Sequence, residues 1–332
     1  ALAVVVVMVV APVTVRNYVV SDDFVVITSN GGLNFYIGSS EISTGGYVKP
    51  DGLDTENDVA GKSLVEAATG RSDLGPSEIS GYWYERARRY IAAEPGEWLG
   101  LLVKKLSFTM SSYELPQIEN YSFQKRYSGL LRLPLPGFAL VAPLGLVGLA
   151  VSLRRRRSLL LSLFLATYVA SIVAFFVVAR YRLPVVPMLA LGAVFVLEEV
   201  WRRATRSDWR FVALTVAAAV CVGFVVNANL YDIDRAKSFA QPHFRLGVIY
   251  TERGDYEKAE AEYRVAMAID PDYVRSYLNL GALMSEQGMD SEAKDMFRAV
   301  LERERGHAAA RVNLAMLMER EGDYVEALAQ TD

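Results

Sequence analysis

The chain has 332 residues, 52% hydrophobic and 22% charged, with 35 Lys and Arg against 38 Asp and Glu and a formal charge of −3. That apolar content and low net charge exclude a disordered chain. One cysteine, Cys221, excludes a disulfide framework and a multi-cysteine zinc site, and two histidines, His243 and His307, make a histidine-based metal centre a poor fit.

Residues 1–15 form an uncharged, Val-rich run that opens on Ala1. The run lacks a basic leader and a small-residue cleavage site, so it does not read as a signal peptide. It is shorter than the roughly 20 residues that cross a bilayer core. The expectation is the C-terminal half of a transmembrane helix in a chain cut at its N-terminus; a repeat pattern that stops at Asp332 suggests a cut at the other end too.

Residues 16–132 are too many for a structureless loop. Within them 19–29 is rich in β-branched residues and predicts one or two short strands. Ser29, Asn30, Gly31 and Gly32 signal a turn, and 33–37 predicts a further strand closed by Gly38. Residues 77–105 predict helix, broken at Pro95 and Gly96. Its second half, with Trp98, Leu99, Leu101, Leu102 and Leu106 and with Lys104 and Lys105 on the same stretch, reads as an amphipathic helix at a membrane interface. Gly31 and Gly32 do not make a dinucleotide fingerprint, and the acidic residues around Asp51 and Asp58 lack calcium-loop spacing. No cofactor is identified. Glu114 and Glu119 are loop carboxylates.

Four apolar runs follow within 133–231, at about 134–153, 158–179, 183–201 and 211–231, and predict four transmembrane helices. Arg154, Arg155, Arg156 and Arg157 occupy one short connection, and Arg202, Arg203, Arg206 and Arg210 crowd another. The positive-inside bias puts both in the cytoplasm, with 16–132 and 232–332 on the outer side. Arg180 and Arg182 run against that bias, in the string Ala179-Arg180-Tyr181-Arg182-Leu183-Pro184. Two readings stand side by side: a pair of guanidiniums that grips a phosphate, or two interfacial side chains snorkelling to headgroups.

From residue 240 a 34-residue period sets in. Leu246-Gly247, Leu280-Gly281 and Leu314-Ala315 align, as do Gly254, Gly288 and Gly322, then Ala259, Ala293 and Ala327, then Tyr263 and Phe297. This is the tetratricopeptide pattern, an α-solenoid of paired helices. The units run about 240–273, 274–307 and 308–332, the last incomplete. Small columns are expected to let the two helices of each pair approach, leaving a groove for a protein or peptide. Residues 240–332 hold 18 acidic and 11 basic side chains, which argues against nucleic acid.

The expected fold class is mostly α: polytopic membrane helices with a small mixed α/β extracytoplasmic segment, followed by the α-solenoid. The string Asn30-Gly31-Gly32-Leu33-Asn34-Phe35-Tyr36-Ile37-Gly38, the Arg180–Pro184 string before a span, Lys104-Lys105, Glu114 and the repeats together resemble the C-terminal part of a GT-C superfamily membrane glycosyltransferase. The protein-mannosyltransferase (family 39-like) type with a repeat tail is the nearest. The resemblance implies transfer of a sugar from a polyprenyl-phosphate carrier to an extracytoplasmic acceptor at a bacterial inner membrane. It implies that Arg180, Arg182, Lys104 and Lys105 meet the lipid phosphate, and that Asn30, Gly31, Gly32, Asn34, Tyr36 and Glu114 shape the substrate pocket. The family's catalytic acid lies in a first outer loop that would precede residue 1, so no catalytic residue is assigned here, and the need for a divalent metal is not legible. Two other readings remain: a non-catalytic membrane-anchored repeat scaffold, and an O-antigen ligase or polymerase-like protein.

Overall fold

The computed structural model describes residues 2–50, 52–53, 58–113, 121–132, 136–153, 156–231, 237–320 and 322. Among them every regular element is a helix. In chain order these are α1 (Leu2–Ser21), α2 (Gly31–Gly38), α3 (Lys62–Thr69), α4 (Pro76–Ala93), α5 (Pro95–Met110), α6 (Tyr121–Gln124), α7 (Phe138–Ser152), α8 (Arg156–Ala174), α9 (Val185–Ala204), α10 (Trp209–Asn227), α11 (Ala240–Glu252), α12 (Tyr256–Ile269), α13 (Val274–Glu286), α14 (Asp290–Arg303) and α15 (Ala308–Arg320). The chain divides into two compact units, Ala1–Gln117 with Pro134–Tyr231, and Ile118–Leu133 with Asp232–Asp332.

The expected strands do not form, and the α/β reading of 16–132 is corrected to all-helical among the described residues. Helix α1 runs on to Ser21 and takes the start of the first predicted strand. The rest, around residues 25–27, folds back along α1. Asn17 Nδ2 donates to the carbonyls of Val25 and Ile27 at 3.1 Å each, and Thr14 Oγ1 donates to Val26 O at 2.7 Å. Acceptors that would have entered a ladder are bound by side chains of the helix. The second predicted strand is α2. Its apolar residues Leu33, Tyr36 and Ile37 fall at i, i+3 and i+4, one helical face, and all three are buried against Ile79, Trp83 and Ala87 of α4 and Val65 of α3. Gly32 permits the contact: a Cβ there would stand 2.0 Å from Ser80 O.

The predicted break at Pro95 is present, separating α4 from α5. Pro at the first turn is compatible with a helix start because its missing N–H has no partner to lose. Asp23 supports the start of α4, accepting from Ser77 N at 2.6 Å; the bonds from Ser77 hold the Asp23 carboxyl below the usual carboxylate range.

All four apolar runs of 133–231 contain a helix, α7 to α10. Among the described residues only α10 is both long and apolar enough to cross a membrane, with mean hydropathy 2.1. Helices α7 and α9 touch through glycines. A Cβ on Gly148 would lie 1.9 Å from Gly192 O, and one on Gly145 would lie 2.4 Å from Leu189 O. Where α9 turns into α10, Glu199 is buried and accepts from Arg202 and from Arg203 Nε, the latter at 3.0 Å. Arg203 also reaches Asp208 at 2.9 Å, and Asp208 caps α10 by accepting from Phe211 N at 3.3 Å. Charges assigned to topology thus also close a turn.

In the second unit α11 pairs with α12, and α13 with α14. The small column does what the period predicts: a Cβ on Gly247 would meet Tyr263 Cε1 at 2.5 Å, and one on Gly281 would meet Phe297 Cε1 at 2.8 Å. The other glycine column acts differently. Gly254, Gly288 and Gly322 have φ of +77°, +77° and +84° with open space where a Cβ would go, so they serve the turn rather than the close approach. The second helix of the third unit lies outside the described residues.

Gly148→Ala is expected to lower the thermal midpoint of the purified chain, since its Cβ collides with backbone; such overpacking costs about 1–3 kcal/mol. Gly96→Ala, where a Cβ meets nothing within 4 Å, leaves the midpoint unchanged or slightly higher. Calorimetry of the two variants checks this.

Candidate functional site

The four cations predicted to meet a phosphate separate into two kinds. Lys105 is fully buried, and its Nζ donates to Val173 O at 2.9 Å, in the last turn of α8. Arg182 is also buried and donates from Nη1 to Ser111 O, the residue that ends α5; its guanidinium lies 4.7 Å from the centre of the Phe138 ring. Both cations therefore satisfy carbonyls at helix C-termini, where backbone acceptors lack internal partners and positive charge is favoured. The geometry is reciprocal: a side chain of α5 closes α8, and a side chain from the turn after α8 closes α5. Lys104 is half-buried, its ammonium 5.6 Å from the Phe108 ring centre and 5.7 Å from that of Tyr231. Arg180 is exposed and stands 5.3 Å over Tyr181.

Tyr181 leads into a cavity of about 290 Å³. Asn34 from α2, Tyr168, Ser171 and Ile172 from α8, and Phe175 and Tyr181 from the segment after α8 line it. The segment is held firmly. Val177 N donates to Gly45 O at 2.9 Å, and Gly38 approaches so closely that a Cβ would stand 2.0 Å from Phe175 O. Of the predicted pocket residues, Asn34 lines this cavity; of the predicted phosphate ligands, Arg180 stands against its wall residue Tyr181.

The remaining predicted residues lie elsewhere. Asn30 precedes the first turn of α2, with no side-chain capping bond. Gly31 and Gly32 face α4: a Cβ on Gly31 would lie 2.9 Å from Tyr84 Oη, and Gly32 N donates to Ser80 Oγ at 3.0 Å. Tyr36 is core. It is 2% exposed, packs 4.9 Å from the Trp83 ring, donates to Glu41 Oε1 at 3.0 Å and lies under Arg86; burial pushes its phenol up to about 12. Glu114 and Glu119 lie outside the described residues. Tyr168, Ser171 and Phe175 were not foreseen. Part of the signal was present: Tyr168 and Ser171 sit one helical turn apart among the few polar positions of a mostly apolar run. Among the described residues no group of His, Cys, Asp or Glu is arranged to hold a metal ion.

The second unit carries a smaller cleft of about 110 Å³ between the first helices of successive repeats. Phe297 and Leu317 form its floor, and Ala282, Ser285, Asn313 and Met316 surround it with Arg320. Met316 and Val312 are half-exposed beside it. Arg320 is held by Asp290, 3.6 Å away.

Comparison with known families agrees with the C-terminal repeats. A family profile described as TPR repeat matches residues 247–288, and two described as tetratricopeptide repeat match 275–305 and 291–331. The C-terminal region is a run of tetratricopeptide repeats, a class that typically binds protein partners. No curated protein matches the chain.

The ammonium of Lys105 is pulled down to about 8 by burial, from 10.5. The unfolded chain therefore binds this proton more tightly, so stability rises as pH climbs from about 8 to about 10.5. Lys105→Met should abolish that rise, an amplitude of about 3 kcal/mol at most. Denaturation midpoints across this range, wild type against variant, check it.

Proposed function

We propose that the protein is a membrane-seated scaffold whose repeats hold a polypeptide partner. The observation that carries the reading is the cleft between α13 and α15, with an apolar floor, an amide and a hydroxyl at its margin, and exposed Val312 and Met316 beside it. An extended peptide can lay apolar side chains on such a floor while its backbone meets Asn313 and Ser285. The apolar exteriors of α10 and α5 support a membrane seat. Helix α10 leaves Leu214, Val220 and Phe224 63%, 65% and 77% exposed, unlike the core helix of a water-soluble fold. Helix α5 buries Lys105 and Thr109 yet exposes Leu99, Val103 and Leu106, the reverse of a water-facing helix. The proposed location is a bacterial inner membrane, with 16–132 and 232–332 extracytoplasmic.

The cavity at Asn34 favours a second reading, in which the first unit serves transfer of a sugar from a polyprenyl-phosphate carrier. Aromatic walls, the Asn34 amide and the hydroxyls of Tyr168, Ser171 and Tyr181 suit an apolar-faced ring with polar edges. The exposed Arg180 beside Tyr181 supplies the positive charge a phosphate requires. Lys105 and Arg182 take no direct part, being bonded to helix ends; Lys104 remains a candidate for the same phosphate.

Three measurements test these proposals. A photo-crosslinking amino acid at position 316 should give protein adducts in cells, while one at Val265, exposed on α12, should not; absence at 316 would remove the scaffold. Arg180→Ala should weaken binding of polyprenyl phosphate to the purified chain about tenfold, the scale of one charge-assisted hydrogen bond. In that assay Arg182→Ala should act chiefly by lowering the melting temperature. In a Cys221→Ser background, a cysteine replacing His307 should react with an impermeant reagent added outside intact cells, and one replacing Ser158 should not.

A further inference from the structure

The connection between α5 and α7 does more than join two helices. Its residues 118–133 belong to the compact unit of the repeats, although the chain on either side of them belongs to the other unit. Phe123 is the anchor. It is 4% exposed, meets the edge of His243 with ring centres 5.1 Å apart, and lies 6.3 Å from Phe239 and 5.3 Å from Tyr127. Arg126 spans the top, with its guanidinium 5.1 Å over Phe239 and 5.7 Å over Phe123. His243 is itself fixed, its Nδ1 2.6 Å from Glu262 Oε2 on α12. The segment closes on itself as well: Arg132 donates to Lys125 O at 2.8 Å and to Arg126 O. Phe239 and His243 belong to the entry of the first repeat, and the cleft of α13 and α15 shares no residue with this contact.

A solenoid of repeats has an open face at its first unit, because each repeat buries its apolar side only against a neighbour. We infer that residues 121–132 are a strap, an intramolecular ligand that covers the open face of the first repeat. An aromatic anchor under a guanidinium is the binding chemistry. The strap attaches the repeats to the rest of the chain by three chain connections rather than one: into the strap, out of it, and through the 232–236 link. It also assigns the two ends of the repeat array different tasks. The entry face is occupied by the chain itself, so a partner that needs Phe239 or His243 must displace the strap.

Lys125, Arg126 and Arg132 make the strap a trypsin reporter. In the full chain, Phe123→Ala should speed cleavage after Lys125 about tenfold and quicken amide exchange in α11, with exchange in α13 to α15 unchanged. His243→Ala, changing the other side of the contact, should give the same selective result. Equal cleavage and equal α11 exchange in both variants would overturn the strap. So would lost protection through α13 to α15, which would make Phe123 part of the repeat core.

Discussion

The first unit depends on how its buried helix ends are satisfied. A helix C-terminus presents carbonyls with no internal donor, and inside an apolar body water does not supply one. Lys105 and Arg182 supply it in crossed fashion, α5 closing α8 and the turn after α8 closing α5. The ends of both helices are thereby bound to one turn, which carries Phe175 and Tyr181 into the wall of the cavity. Gly38 and Gly45 grip the same turn from the other side. The cavity is a product of this lacing: its aromatic walls stand where they do because the backbone behind them is held at both ends.

The repeats use a different economy. Each pair is held by one large ring over one missing side chain, Tyr263 over Gly247 and Phe297 over Gly281. Filling the interior with rings, leucines, methionines and alanines at fixed columns leaves the outer surfaces of α11, α13 and α15 free to vary, and variable surface over a fixed frame is what a binding module requires. The acidic balance of this region and the asparagine, serine and methionine of its cleft favour a polypeptide over a polyanion.

The repeats were legible in the sequence because their packing is written in columns that recur at 34. The break at Pro95 was legible because proline chemistry is local. The strands expected at 19–29 and 33–37 were misread because β-branched and aromatic content outweighed spacing; Leu33, Tyr36 and Ile37 already had helical intervals, and the acceptors around Val25 are bound by Thr14 and Asn17, partners that no local pattern reveals. Arg182 and Lys105, expected at a phosphate, are bonded to helix-end carbonyls that lie about 70 residues away in the chain. A cation that closes a helix end looks, in a linear string, the same as one that awaits an anion, and only burial separates them. Asn34, expected in a substrate pocket, lines a cavity whose other walls, Tyr168 and Phe175, come from more than a hundred residues downstream. Phe123 carried no periodic signal: Tyr121, Phe123 and Tyr127 are spaced two and four apart, and nothing in that spacing points to a contact with Phe239 and His243 more than a hundred residues on.

The joint between α7 and α9 has one more property. At Gly148 and Gly192 the two backbones meet with no side chain between them. Cohesion there comes from dispersion and from weak Cα–H···O contacts rather than from release of water. A joint of that kind is indifferent to its surroundings and holds in hydrocarbon as it holds in water, where a leucine seam would lose most of its advantage.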